Sequence, residues 1–174
     1  MSSRMAETPR LYRMRTTYYD TPDRALSSRR ITLRCRMENN LPVICVKAPL
    51  PGAADSRARG EWELPGTDPA AALPELIRLG APRVLESLKQ PIPVCGAEFV
   101  RTAVLLRFAD GSAAELALDH GTLFGAARSL PLHVLELELK EGAPEASLAL
   151  LDALEKRFAL EPQPKSKYAR ARAL

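Results

Sequence analysis

Cysteine is scarce in this chain: Cys35, Cys45 and Cys95 are the only three in 174 residues. An odd number at wide spacing supplies neither a zinc-ligand pattern nor a disulfide framework, and apolar neighbours make each a reduced core thiol. Aromatic residues are few as well, at 5%. Trp62 and Tyr19 read as packing groups of strands, and two such rings do not build a base-stacking surface. His120 and His133 are too far from any Cys or His partner to suggest zinc, so both read as ordinary loop or strand residues. No apolar run approaches the roughly 18 residues that cross a bilayer, and the N-terminus lacks an apolar signal stretch. Neither a membrane nor export is expected; the cytoplasm is the expected location. Charge of one sign is only slightly in excess, with 25 Lys+Arg against 21 Asp+Glu, a net charge of +4. Much of that excess lies at the two ends. It permits anionic partners without indicating nucleic acid, which is not expected as a partner.

What the chain has is apolar material for one core and charge in alternation. At 46% hydrophobic residues it fits a single domain over 1–174. Several strand-like segments carry a charge at every second position: Arg34 and Arg36, Arg59 with Glu61 and Glu63, and Glu136, Glu138 and Lys140. In an extended strand alternate side chains share a face, so these charges point one way and their apolar neighbours the other.

Strands are read at 11–19, 30–37, 43–47, 60–64, 99–108, 113–119 and 132–140, with a short return piece at 123–124. Asp20-Thr21-Pro22-Asp23 and Asn39-Asn40 are turns, and Asp110-Gly111 is the clearest hairpin signal. Pro49 to Arg57 reads as a loop. Helical spacing appears over 70–79, with Asp68 as cap, over 82–89, and over 145–158 after Pro144. Hairpin-linked strands with helices between and after them predict an α+β arrangement around an antiparallel sheet.

In an open sheet such a charged face is merely solvated. Three features favour a functional reading. Arg34 and Arg36 fall together on one strand and Glu136 and Glu138 on another. Arginine and glutamate dominate, which suits bidentate phosphate recognition and hard-cation binding. Glu115 shares parity with Asp119, and Arg101 with Arg107. If the sheet curls with these faces inward, the lumen becomes a charged, hydrated tunnel.

The ordered set Tyr18-Tyr19-Asp20-Thr21-Pro22-Asp23, Leu33-Arg34-Cys35-Arg36, Lys47, Arg59-Gly60-Glu61, Arg101, Glu115 to Gly121, Glu136-Leu137-Glu138 and Ser166-Lys167 resembles the CYTH superfamily. These triphosphate tunnel metalloenzymes include inorganic triphosphatases, thiamine triphosphatases and class IV adenylyl cyclases. The resemblance implies an antiparallel β-barrel with helices packed outside. It implies that Arg34, Arg36, Lys47, Arg59, Arg101 and Lys167 grip a triphosphate or polyphosphate. It assigns Glu136 and Glu138 to Mg²⁺ or Mn²⁺, with Glu61, Glu63 and Asp119 as further acidic lining. The implied activity is metal-dependent triphosphate hydrolysis, with no residue acting as a covalent nucleophile. An adenylyl cyclase-like enzyme and a non-catalytic polyphosphate- or nucleotide-binding module are the alternatives. The same acidic pair could instead bridge to Arg34 and Arg36 across the barrel.

One departure stands out: the family's opening ExExK strand has no counterpart before Tyr18. The expectation is therefore a natural member that is shortened, or a start internal to a longer gene. Either leaves about seven strands and two unpaired edges, covered by a second protomer in a homodimer or by another neighbour.

Overall fold

In the computed structural model, residues 5–50, 59–88 and 90–174 are described. The expected loop at 49–57 lies almost wholly outside them, as does Lys89. The strands are β1 (Met5–Ala6), β2 (Arg10–Asp20), β3 (Thr32–Glu38), β4 (Leu41–Pro49), β5 (Arg59–Pro65), β6 (Ile92–Arg107), β7 (Ala113–Phe124) and β8 (Ser129–Glu141). Three helices accompany them: α1 (Pro69–Arg78), α2 (Glu145–Phe158) and α3 (Lys167–Arg172).

All strand pairs are antiparallel, in the order β5-β4-β3-β2-β6-β7-β8, with the two-residue β1 added to β6. Among the described residues β5 and β8 do not pair with each other, so the sheet curls into a half-barrel with two free edges. The α+β class and the incomplete barrel of about seven long strands are as expected.

The convex face is apolar where helices cover it. Leu33, Ile44, Val46 and Ala48 of β3 and β4 pack with Leu73 and Leu76 of α1, and Trp62 and Tyr19 join from the margins as packing groups. Asp68 starts α1 by accepting the backbone N–H groups of Ala70 and Ala71 at 3.0 and 3.2 Å. The helix expected over 82–89 is only a 3-10 turn at Arg83–Ser87. So short a segment lacks the length to sustain an α-helix, and Pro91 bars its extension. On the other half of the convex face, Leu150 of α2 meets Leu106, Phe108 and Ala114.

Two boundaries differ more substantially from the sequence reading. β6 begins at Ile92 rather than Phe99, because Pro93 lies where β6 has β2 on one side and has not yet met β7, whose pairing starts at Gly96. The pieces expected at 113–119 and 123–124 are one strand. Gly121 is no turn: it lies against Phe99, where an added Cβ would come within 2.1 Å of the Glu98 carbonyl oxygen.

The concave face is plugged at one end by α3, an element absent from the sequence reading. Ser166 caps it by accepting the Ala169 N–H at 3.2 Å. Ala171 packs with Met14, Ala97, Phe99, Leu123 and Leu132, while Leu174 closes on Gly125, where a Cβ would lie 2.3 Å from the leucine's own.

Candidate active site: a charged groove in the half-barrel

Beside α3 the concave face opens into a groove of about 500 Å³. The register of the strands puts alternate side chains of β3, β4, β5, β6 and β8 on this face, which is why the charged set converges here. Its lining includes ten of the eleven expected site residues, Arg34, Arg36, Lys47, Arg59, Arg101, Lys167, Glu61, Glu63, Glu136 and Glu138. The eleventh, Asp119, lies beneath the floor and is fully buried.

Two ionic clusters divide the groove. On the β6–β8 side, Asp119 accepts Nε and Nη2 of Arg101 at 2.8 Å each and Nζ of Lys167 at 2.8 Å. Glu136 accepts Nη2 of Arg101 at 2.5 Å and also contacts Lys167. Burial works against the charge of Asp119, but the hydrogen bonds of Arg101 and Lys167 outweigh it and hold its carboxyl below the usual range. Burial likewise opposes the Arg101 guanidinium, and Asp119 overcomes it, raising its pKa.

On the β3–β5 side, Glu61 joins Lys47 Nζ at 2.8 Å and Arg34 Nη2 at 3.2 Å, while Glu63 stands 3.7 Å from Arg34. Burial would raise the Glu61 carboxyl, yet Lys47, Cys45 and Arg34 bring it down to about 2. Arg36 contacts Glu38 at 3.2 Å, and Lys140 contacts Glu138 at 2.9 Å. The cross-barrel pairing of Glu136 and Glu138 with Arg34 and Arg36 is therefore not what forms; each partner is found on its own side. Arg59 spends one nitrogen on backbone, donating to the carbonyls of Arg30 and Lys47 at 2.6 and 2.9 Å.

Arg34 Nε and Arg36 Nε are buried without a hydrogen-bond partner. A buried donor left unmade costs about 1–3 kcal/mol, so two of them under a charged groove point to an acceptor-rich ligand.

Two acidic groupings could hold a cation. Cys45, Glu61 and Glu63 offer ligand atoms within 4.8 Å of one another. Burial pushes the Cys45 thiol up to about 12, and its sulfur donates to Glu61 at 3.2 Å. A protonated thiol does not suit a hard cation, which takes oxygen ligands. The other grouping is all oxygen: Glu136 and Glu138 share the concave face of β8, and Glu115 faces Glu138 directly across the β7–β8 ladder. Oxygen donors are the type hard cations take, but Glu136 is ion-paired to Arg101 and Lys167 and Glu138 to Lys140, and among the described residues these carboxylates do not gather their ligand atoms as closely as Cys45, Glu61 and Glu63 do.

Three observations correct or extend the sequence reading. Cys45 is a buried free thiol as expected, and in addition its sulfur donates to Glu61 of the groove wall. His120 and His133, expected to lie apart, are register partners on β7 and β8 with ring centroids 4.6 Å apart. Tyr18 and Tyr168 line the α3 end as a tilted pair 5.2 Å apart. The parity of Tyr18 on β2 could have revealed its side; nothing in the basic tail announced Tyr168.

The half-barrel has counterparts among known proteins. The pattern of the CYTH domain matches residues 4–171. An inorganic triphosphatase of Haemophilus influenzae is 29% identical over 128 residues, covering 72% of this chain and 36% of that protein. The chain thus spans little more than a third of the length of that curated relative. Among solved structures, the Hippeastrum protein HpAC1, described as an adenylyl cyclase candidate with a dominant triphosphatase activity, superposes with a TM-score of 0.54 at 20% identity over 94% of this chain and 83% of its own. A Bacillus halodurans protein described as an adenylate cyclase candidate gives 0.54 at 15% identity, over 94% and 95%. Both likenesses speak for the fold. The chain belongs to the CYTH domain family.

Proposed function

We propose that this chain binds a triphosphate, inorganic or organic, in the concave groove and hydrolyses it with the help of Mg²⁺ or Mn²⁺. The observation that carries this reading is the pair of unpartnered buried guanidinium donors, Arg34 Nε and Arg36 Nε, beneath a face lined by further cations. Guanidinium forks suit phosphate oxygens, so Arg34, Arg36 and Arg101 grip the chain while Lys47 and Lys167 add point charges. Arg59, anchored by backbone carbonyls, sets the rim. Glu136 and Glu138, with Glu115, hold the cation; Glu61, Glu63 and Asp119 keep the basic residues in position. A divalent ion held by these residues would neutralise charge on phosphate oxygens and would lower the pKa of a bound water. No side chain forms a covalent intermediate, in keeping with a Cys45 thiol that stays protonated.

The free edges of β5 and β8 favour a second reading, a polyphosphate-binding module without turnover. They also suit a homodimer or another neighbour that covers them. Product analysis with triphosphate and with ATP, with and without Mg²⁺, tests both readings. Orthophosphate release supports hydrolysis. Cyclic AMP with pyrophosphate indicates a cyclase, and calorimetric binding without products indicates the module. The charge reversal Arg36→Glu abolishes triphosphate binding while sparing the fold; unchanged affinity rejects the groove as the site.

A further inference from the structure

On the convex face, directly behind the β6–β8 ionic cluster, His120 and His133 stand opposite each other across the β7–β8 ladder. Their rings are 4.6 Å apart between centroids and tilted by 50°. Both residues are exposed, and among the described residues neither imidazole makes a hydrogen bond or an ion pair. Antiparallel partners have Cβ atoms about 4.5–5.5 Å apart, held there by the ladder rather than by side-chain packing. Two nitrogens bound to one tetrahedral zinc lie about 3.3 Å apart, given Zn–N bonds of about 2.0–2.1 Å. Side-chain torsions alone reach that separation from the observed ring spacing.

The surroundings are compatible. Val100 is the neighbour of His120 on β6, and the next residue of the same row is Arg13 on β2, about 10 Å away across two strand spacings. Leu118 and Leu135, two positions along β7 and β8, are the next pair on that face. Glu98, diagonal to His120 on β6, is engaged by Arg15 at 2.9 Å, and Glu155 of α2 borders the same cavity as His133; among the described residues neither carboxylate is paired to a ring, so the imidazole nitrogens are the ligands the pair offers.

We propose that His120 and His133 form a two-imidazole chelate for a borderline divalent cation of the zinc or nickel class, with the remaining coordination positions taken by water. This site is separate from the groove in face and in chemistry: oxygen donors there select hard cations, and imidazole nitrogens here select borderline ones. It rests on nothing assumed about the reaction. Its consequence is mechanical. The chelated ion ties the free-edged strand β8 to β7 one residue from Asp119, so occupancy stiffens the wall of the groove from behind.

The test is Ni²⁺ titration of the untagged chain by calorimetry in excess Mg²⁺, which competes for the carboxylates of the groove but not for imidazole, with thermal unfolding followed in parallel. The expected result is one Ni²⁺ per chain that raises the unfolding midpoint. His120→Gln and His133→Gln each lower the affinity on the order of 100-fold, at least what losing a supporting partner costs a metal site. Without metal, both variants unfold at the wild-type midpoint, since both rings are exposed. Cys45→Ser, which removes the competing sulfur ligand, leaves Ni²⁺ binding unchanged. Ni²⁺ binding that survives in the double variant His120→Gln/His133→Gln, or that disappears in Cys45→Ser, overturns the assignment.

Discussion

Replacing Asp119 by asparagine isolates the contribution of the buried anchor. The carboxylate is fully buried and accepts three hydrogen bonds, two from Arg101 and one from Lys167, all at 2.8 Å. Asparagine keeps one acceptor oxygen and turns the other into an amide donor aimed at a cation. Arg101 and Lys167, with side chains only 13% and 11% exposed, then retain Glu136 as their acidic partner. Removing one member of a buried pair costs about 3–5 kcal/mol. The surviving contact to Glu136 brings the expectation to about 3 kcal/mol. For a chain of this size each kcal/mol moves the melting temperature by about 2–4 °C, so Asp119→Asn lowers it by roughly 6–12 °C. Urea and thermal unfolding followed by fluorescence supply the measurement. The single tryptophan, Trp62, packs in the α1 cluster on the opposite face and reports global unfolding without sensing the substitution itself. The double variant Arg101→Met/Asp119→Leu recovers part of the loss, because apolar groups of similar volume replace a buried pair at little cost. A loss under about 1 kcal/mol for Asp119→Asn would refute the claim that this carboxylate anchors the two cations.

Acid is expected to weaken the fold through the same groups. Glu61, held down to about 2, and Asp119, also lowered, have folded pKa values below their unfolded ones. Their stabilisation is therefore complete above the ordinary carboxylate range and lost as pH falls toward 2. Urea midpoints measured from pH 6 downward should decline along that path, and Glu61→Gln should flatten the decline; parallel curves count against the assignment. Glu136→Gln weakens the Mg²⁺ dependence of triphosphate turnover or binding, and an unaltered metal titration excludes it as a ligand. Asp68→Ala removes the α1 cap and costs about 1 kcal/mol, a fall of about 2–4 °C in melting temperature.

Much of the groove was legible because a strand has an exact two-residue period. Once Arg34 and Arg36, or Glu136 and Glu138, are assigned to strands, the pleat forces them onto one face, and the apolar residues between them settle which face is covered. Curling then brings separate strands together. What the period cannot supply is distance across the sheet. His120 and His133 are separated by a hairpin, and only the β7–β8 register makes them neighbours. Ion-pair partners stayed open for the same reason: Arg34 finds Glu61 across β4 rather than an acid of β8. Cys45 looked apolar beside Ile44 and Val46, although its parity with Lys47 put it under the groove. Helix α3 escaped because six residues rich in Lys and Arg carry almost no amphipathic signal, and its stability comes from Ala171 and from capping by Ser166.

The position of α3 has a further consequence for the order of assembly. The β2–β5 meander and its convex cover use contacts close in sequence, whereas the inner core and the cation at Lys167 depend on a segment that must travel back across the whole sheet. A nascent chain halted before that segment would own the arginines of β3 without the lysine that completes the trough. Capacity for polyanions should therefore appear late in folding, together with closure of the interior.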